Sequence, residues 1–196
     1  TDLGKELHQR NKKLICTIEA RTPVDSRYSV VTQEILKRIE YSNDYKVIGK
    51  VCDQVRIMTY DQIGGDVKLS NENSTTLYRP VADINWVEKV LTLTLRDIPA
   101  SKIVVGVATY GYKYEINRDT SGYITYRRIG SMNYFYADEL AKDLKITPTR
   151  NIAGELSFSY STTTDLSNKT PGTLKEYLVW YSDAGAIAVK IRLAKL

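Results

Sequence analysis

Histidine occurs once in this 196-residue chain, at His8, and cysteine only at Cys16 and Cys52. With one histidine a Ser/His/Asp triad is hard to assemble, and no Gly-x-Ser-x-Gly elbow accompanies it. His8 lies on a surface-helix pattern with no Cys or His at ligand spacing, so no metal site is expected. Two cysteines do not make a disulfide framework. Both sit in apolar segments, where a buried free thiol is the commoner state, although neighbouring strands would bring them within bridging reach. Gly64-Gly65 and Gly106 to Gly111 lack the spacing of a dinucleotide fingerprint or a phosphate loop, and no cofactor is expected. No apolar run is long enough to cross a bilayer, and Thr1 opens into a polar amphipathic stretch rather than a signal segment. The net charge of +5 is spread along the chain without a block of five like charges, which argues against nucleic acid as a partner.

What is present is the composition of an ordinary globular protein, 42% hydrophobic and 26% charged. Helix and strand patterns alternate, the mark of a parallel sheet covered by helices. Residues 2–12 read as a helix and 14–18 as a strand buried on both faces. From Val30 to about Val51 the period is helical, and 54–61 form a second strand that ends in Gly64-Gly65 and a polar loop. A helix over 85–95 carries Trp86, Val87, Val90 and Leu91 as a sheet-packing stripe, with Asp83 as its N-cap and Pro99 closing the next turn. The β-branched run 102–111 predicts a third strand. From Tyr112 to about Leu178 the sequence turns aromatic, polar and turn-rich, an inserted α+β lobe with a helix near 133–144 and strands near 122–127 and 155–160. Val179 to Asp183 then leads into a helix over 184–196, capped by Asp183. This order fits either a doubly wound sheet or part of a (β/α) barrel.

In such folds chemistry gathers at the carboxyl ends of the strands. The second strand ends in Met58-Thr59-Tyr60-Asp61 and the third in Thr109-Tyr110-Gly111-Tyr112, so phenols and a carboxylate share one rim. Sugars, with apolar faces and polar edges, suit such a surface. The competing reading makes these tyrosines core residues with bonded hydroxyls. Glu19 and Arg21 either face the site or form an ion pair, and Glu155 is a candidate that enters the cleft from the lobe.

Asp53 to Asp61 resembles the sixth-strand signature of glycoside hydrolase family 18, the chitinase-like barrels. Pro80 to Leu91 resembles the helix entry found in the branch that acts on spore cortex and peptidoglycan, Ile98 to Tyr112 the seventh strand, and Val179 to Asp183 the entry to the seventh helix. The likeness implies a partial (β/α)8 barrel, strands five to seven with flanking helices, and an inserted α+β lobe: residues 1–111 and 179–196 as barrel, 112–178 as lobe. The family's catalytic Asp-x-x-Asp-x-Asp-x-Glu has no match in these residues and would fall before Thr1, so the chain by itself is expected to be inactive. Family 18 chemistry is substrate-assisted and retaining, the N-acetyl oxygen attacking the anomeric carbon. The resemblance implies that Tyr60 hydrogen-bonds the acetamido oxygen, that Asp61 binds sugar hydroxyls or tunes its neighbours, and that Met58 lines the pocket floor. Tyr110, Tyr112, Glu155 and Trp180 are its further substrate contacts. Many chitinases carry Arg where Tyr112 stands, which leaves the cortex-acting branch as the better match. The implied partner is an N-acetylglucosamine glycan, chitin or peptidoglycan, and the implied location is secreted or the cell envelope. The alternatives are a sugar-binding relative without catalysis and a half barrel that closes by self-association.

Overall fold

The computed structural model describes residues 2–39, 41–164 and 173–195; Thr1, residues 40 and 165–172, and Leu196 of the segments assigned above lie outside them. The architecture is α/β, with a three-stranded parallel sheet and a five-stranded antiparallel one. Helix α1 (Asp2–Gln9) leads into strand β1 (Ile15–Glu19), which pairs in parallel with β2 (Gln54–Met58). β2 in turn pairs with β3 (Ile103–Val105). Across the register Cys16, Val55 and Ile103 align, as do Ile18, Ile57 and Val105, so one face of the sheet is uniformly apolar. Val55 and Ile57 are fully buried there.

That face is covered by α4 (Tyr45–Val51) and α6 (Ile84–Thr94), whose Trp86, Val87, Val90 and Leu91 form the expected stripe. Asp83 caps α6 by accepting from the Asn85 amide at 2.8 Å. The opposite face carries Thr17, Arg56 and Val104 in register. β1 is therefore not buried on both sides: Ile15 shares that opposite face and is 45% exposed, as Arg56 of the central strand is exposed too.

Several local expectations change. The helical stretch 30–51 divides into α3 (Gln33–Arg38) and α4, since Asp44 turns its carboxylate onto the amides of Lys46 and Val47 and starts a new helix. A short helix, α5 (Val67–Glu72), stands where a polar loop was read, capped by Asp66 through the Leu69 amide, and a further one, α2 (Val24–Arg27), follows β1. Cys16 and Cys52 form a disulfide, with Cα atoms 6.0 Å apart, rather than remaining free thiols. The turn from α4 into β2 sets Cys52 beside β1, a proximity that apolar flanks alone do not reveal.

The run 102–111 is two strands, not one. After β3 the Gly106 amide still bonds the Ile57 carbonyl at 2.8 Å, but β4 (Tyr110–Arg118) joins the other sheet. β4 lies between β5 (Ile124–Asn133) and β8 (Thr173–Tyr181), and β8 pairs outward with β7 (Leu156–Thr164) and then β6 (Thr149–Arg150). The antiparallel sheet thus begins at Tyr110 and runs to Tyr181, past both edges of the 112–178 segment. A Cβ on Gly111 would stand 2.1 Å from the Trp180 carbonyl oxygen, so only glycine permits this approach of β4 to β8. Helix α7 (Tyr134–Asp143) packs Ala137 and Ala141 on Phe158, Val179 and Tyr181.

Helix α8 (Ala184–Leu193) begins at Asp183, which accepts from the Ala186 amide at 2.9 Å and takes both prongs of Arg150 at 2.6 and 2.8 Å. The guanidinium holds the Asp183 carboxyl down to about 2. A carboxyl depressed on folding stabilises above its unfolded value, and that contribution is lost as pH falls through the folded one. Between roughly pH 4 and 2 the protein should lose on the order of 1–2 kcal/mol through this pair, reduced from the full shift because Arg150 is partly exposed. Asp183→Asn keeps the cap and should remove that part of the acid slope in urea titrations; an unchanged slope would discount the pair.

Candidate active site

β2 delivers its last residues to the rim. Thr59, fully buried, donates from its hydroxyl to the Gly106 carbonyl at 2.5 Å and joins the ends of β2 and β3. A Cβ on Gly106 would meet the Ile57 carbonyl oxygen at 2.7 Å and the Tyr60 ring at 3.0 Å, so glycine lets that ring lie against the backbone. Asp61 follows with φ +56, a left-handed conformation that Asp tolerates, and its carboxylate turns toward the antiparallel sheet. Tyr110 and Tyr112 both donate to its Oδ1, at 2.9 and 2.5 Å. The rings of Tyr60 and Tyr110 meet edge to face at 6.4 Å, and those of Tyr110 and Tyr112 at 5.6 Å.

Burial first, then the Asp61 carboxylate, pushes the Tyr110 and Tyr112 hydroxyls above the usual phenol range, so both stay protonated donors. The Tyr60 hydroxyl forms no hydrogen bond with any described residue. Of these three rim phenols it alone is uncommitted among the described residues. Met58, half-buried, lies opposite Glu19 in the register, on the sheet face that carries Arg56 and Thr17.

Glu155 and Trp180 take a different place. Glu155 is fully buried and accepts from the Val81 and Ala82 amides (2.9 and 3.2 Å), Trp180 Nε1 (2.9 Å), the Ser182 hydroxyl (2.9 Å) and Lys190 Nζ (2.8 Å). It ties the loop before α6 to the end of β8 and to α8. Trp180 is 1% exposed, its ring edge-on to Tyr78 at 5.9 Å. Both residues lie in the interior rather than on an open surface.

Glu19 and Arg21 do not pair with each other. Asn43 stands between them, its amide donating to Glu19 and its carbonyl accepting from Arg21, and the Arg21 guanidinium lies 3.7 Å from the Tyr41 centroid and 4.0 Å from that of Tyr45. Glu19, Arg21 and Tyr41 border a cavity of about 470 Å³ with Arg27, Gly64 and Gly65. The contribution of Tyr41 and Asn43 was hidden inside the stretch read as one helix. No group of three or more His, Cys, Asp or Glu is arranged to hold a metal among the described residues.

A parallel sheet with edge-to-face phenols, a carboxylate and a cavity at its carboxyl ends defines an α/β protein whose polar groups gather where such sheets commonly place their sites. The chain belongs to family 18 of the glycosyl hydrolases, whose family model matches residues 1–195. It is 29% identical over 153 residues to the uncharacterized glycosylase YvbX of Bacillus subtilis (strain 168), a match covering 78% of this chain and 37% of that one. Its fold is similar to that of the spore cortex-lytic enzyme SleL of Bacillus megaterium QM B1551, with a TM-score of 0.67 and 23% identity over 99% of this chain and 37% of that one. A chitinase from Chromobacterium violaceum ATCC 12472 gives a TM-score of 0.66 and 22% identity, covering 99% and 50%. The chain thus spans between a third and a half of the length of these relatives.

Proposed function

We propose that these residues form the acetamido-binding side of a family 18 glycosidase that cleaves N-acetylglucosamine glycans by the substrate-assisted, retaining route. The observation that carries this reading is the uncommitted Tyr60 hydroxyl beside an Asp61 already engaged by Tyr110 and Tyr112. A neutral phenol held in place can donate to the acetamido oxygen; as that oxygen attacks the anomeric carbon, the hydroxyl stabilises the charge that develops without having to move. Asp61, fixed by two donors, presents its other oxygen to sugar hydroxyls, and Met58 floors the pocket. Tyr110 and Tyr112 act by positioning Asp61. The general acid is supplied from outside residues 1–196, which contain no Asp-x-x-Asp-x-Asp-x-Glu.

In the same reading β1, β2 and β3 are strands five to seven of a (β/α)8 barrel and the antiparallel sheet is a lobe inserted after the seventh. Exposed Ile15 and Val104 at the open sheet support this, and they are the surface through which an isolated half barrel would self-associate. Both polymers, peptidoglycan and chitin, are substrates this reading allows, since cortex-lytic enzymes and chitinases share the fold alike. The Cys16–Cys52 disulfide favours an oxidising compartment, outside the cytoplasm.

The test is to incubate the full-length protein with N-acetylglucosamine oligomers and with spore-cortex peptidoglycan and follow the new reducing ends by NMR. The expected product first appears as the β-anomer. An α-anomer would refute the retaining route. Binding of glycan without any cleavage would move the protein to the sugar-binding relatives.

A further inference from the structure

Tyr60 and Asp61 span the gap between two buried posts. On one side Thr59 is tied to the end of β3 through the Gly106 carbonyl. On the other Gln62, 3% exposed, takes the chain back into the interior directly after the left-handed Asp61. A non-glycine residue in that conformation persists where its surroundings over-determine it. The two phenols on Asp61 hold its side chain; its backbone is held by the residue that follows.

Gln62 is bound through both its main chain and its side chain. Its amide donates to the Val81 carbonyl at 3.0 Å, and its carbonyl accepts from the Gly65 amide at 2.5 Å. Its side chain faces the Asp83 amide at 2.7 Å; a backbone N–H only donates, so the atom there is the side-chain oxygen. The side-chain nitrogen then faces the Tyr78 hydroxyl at 3.4 Å, and that hydroxyl gives its own proton to Asp83 Oδ2 at 2.8 Å. Burial first, then the Asp83 carboxylate, raises the Tyr78 hydroxyl above the usual phenol range, so it stays a donor.

The loop that receives Gln62 is itself fixed. The amides of Val81 and Ala82 go to Glu155, which is bonded to Trp180 and Lys190, and the next amide, that of Asp83, goes to Gln62. The rim turn is thus referred to the same buried anchor that joins β8 and α8. Burial raises the Asp83 carboxyl and the Glu155 carboxylate adds to it, so a third carboxylate at position 62 would be penalised. The neutral amide of Gln supplies donor and acceptor there without a charge.

We propose that Gln62 is a positioning residue, which sets the place of the Tyr60 hydroxyl by pinning the Tyr60–Asp61 turn to the loop before α6. It acts through Tyr60 and needs no contact with the substrate. This rests on the glycosidase reading of Tyr60 and names the group that preorganises it.

The experiment is a double-mutant cycle in the full-length protein, with kcat and KM measured on N-acetylglucosamine oligomers and on spore-cortex peptidoglycan. Gln62→Met, which fills a similar volume without donor or acceptor, should lower kcat about 10- to 100-fold and leave KM within about twofold, as displacement of a reacting group does. In the Tyr60→Phe background the same substitution should lower kcat less than about threefold, because no hydroxyl is left to place. Equal losses in the two backgrounds, or a wild-type kcat in Gln62→Met, overturn the proposal and leave the glycosidase reading standing. Should Gln62→Met fail to fold, Tyr78→Phe removes a single hydroxyl from the same ring of bonds. It must then lower kcat about threefold alone and leave it unchanged in the Tyr60→Phe background, or the proposal falls. A wild type that cleaves neither glycan overturns the glycosidase reading, and the proposal with it.

Discussion

Glu155→Ala should cost roughly 3–5 kcal/mol of folding stability, the range expected when one partner of a buried ion pair is removed. Lys190, 2% exposed, would be left as a buried unpaired cation, and the Trp180 indole, the Ser182 hydroxyl and the amides of Val81 and Ala82 would lose their acceptor together. Urea unfolding monitored by tryptophan fluorescence reads this directly, because Trp180 is one of two tryptophans and sits on the carboxylate. Removing both charges, as in Glu155→Leu with Lys190→Met, should cost less than Glu155→Ala alone, since no charge is stranded. A loss below about 1 kcal/mol in the single variant would mean that water reaches the site and that Glu155 does not join the three elements.

The second large effect is on catalysis. In the full-length protein Tyr60→Phe should lower kcat about 100- to 1,000-fold, as removal of one preorganised donor to a developing oxyanion does. KM should change little, because the lost bond strengthens mainly in the transition state. Folding should be nearly unaffected, since the hydroxyl has no partner among the described residues and the ring stays against Gly106. Steady-state kinetics on an N-acetylglucosamine oligomer with a chromogenic leaving group provides the test. A variant with wild-type kcat would remove Tyr60 from the mechanism; a rise in KM alone would make it a ground-state sugar contact.

Much of this was legible in the residues. The rim tetrad Met58-Thr59-Tyr60-Asp61 closes a strand whose alternation is plain, and Tyr110 and Tyr112, two apart, had to share a face of any strand. Asp83 and Asp183 announce their helices by standing just before an apolar period, and both cap them. Glu155 is the opposite case. A lone Glu after Gly154 gives no local sign of its donors, which come from positions as far as 74 residues away in sequence. Trp180 misled for a related reason: its neighbour Tyr181 and its register partner Tyr112 help to bury it, yet β8, the strand that carries it, crosses from the end of the 112–178 lobe into the 179–183 lead of the last helix, where no strand was read. The division of 102–111 into two strands was equally silent. Its β-branched run fits an extended chain wherever its partners are, and the choice of partner belongs to Gly106 and Gly111, where neighbouring backbones come too close for a side chain.

The sequence by itself determined the local order of helix and strand, the apolar stripe of α6, the caps and the phenols and carboxylate that end the strands, because period, branching and capping act over a few residues. Only the tertiary structure decided that Cys16 meets Cys52, that Asp61 takes Tyr110 and Tyr112 while the Tyr60 hydroxyl has no partner among the described residues, and that Glu155 is a buried anchor. Each of those depends on which distant groups share a desolvated space, and pairing across long loops is set by the packing of the whole chain rather than by any neighbour in it.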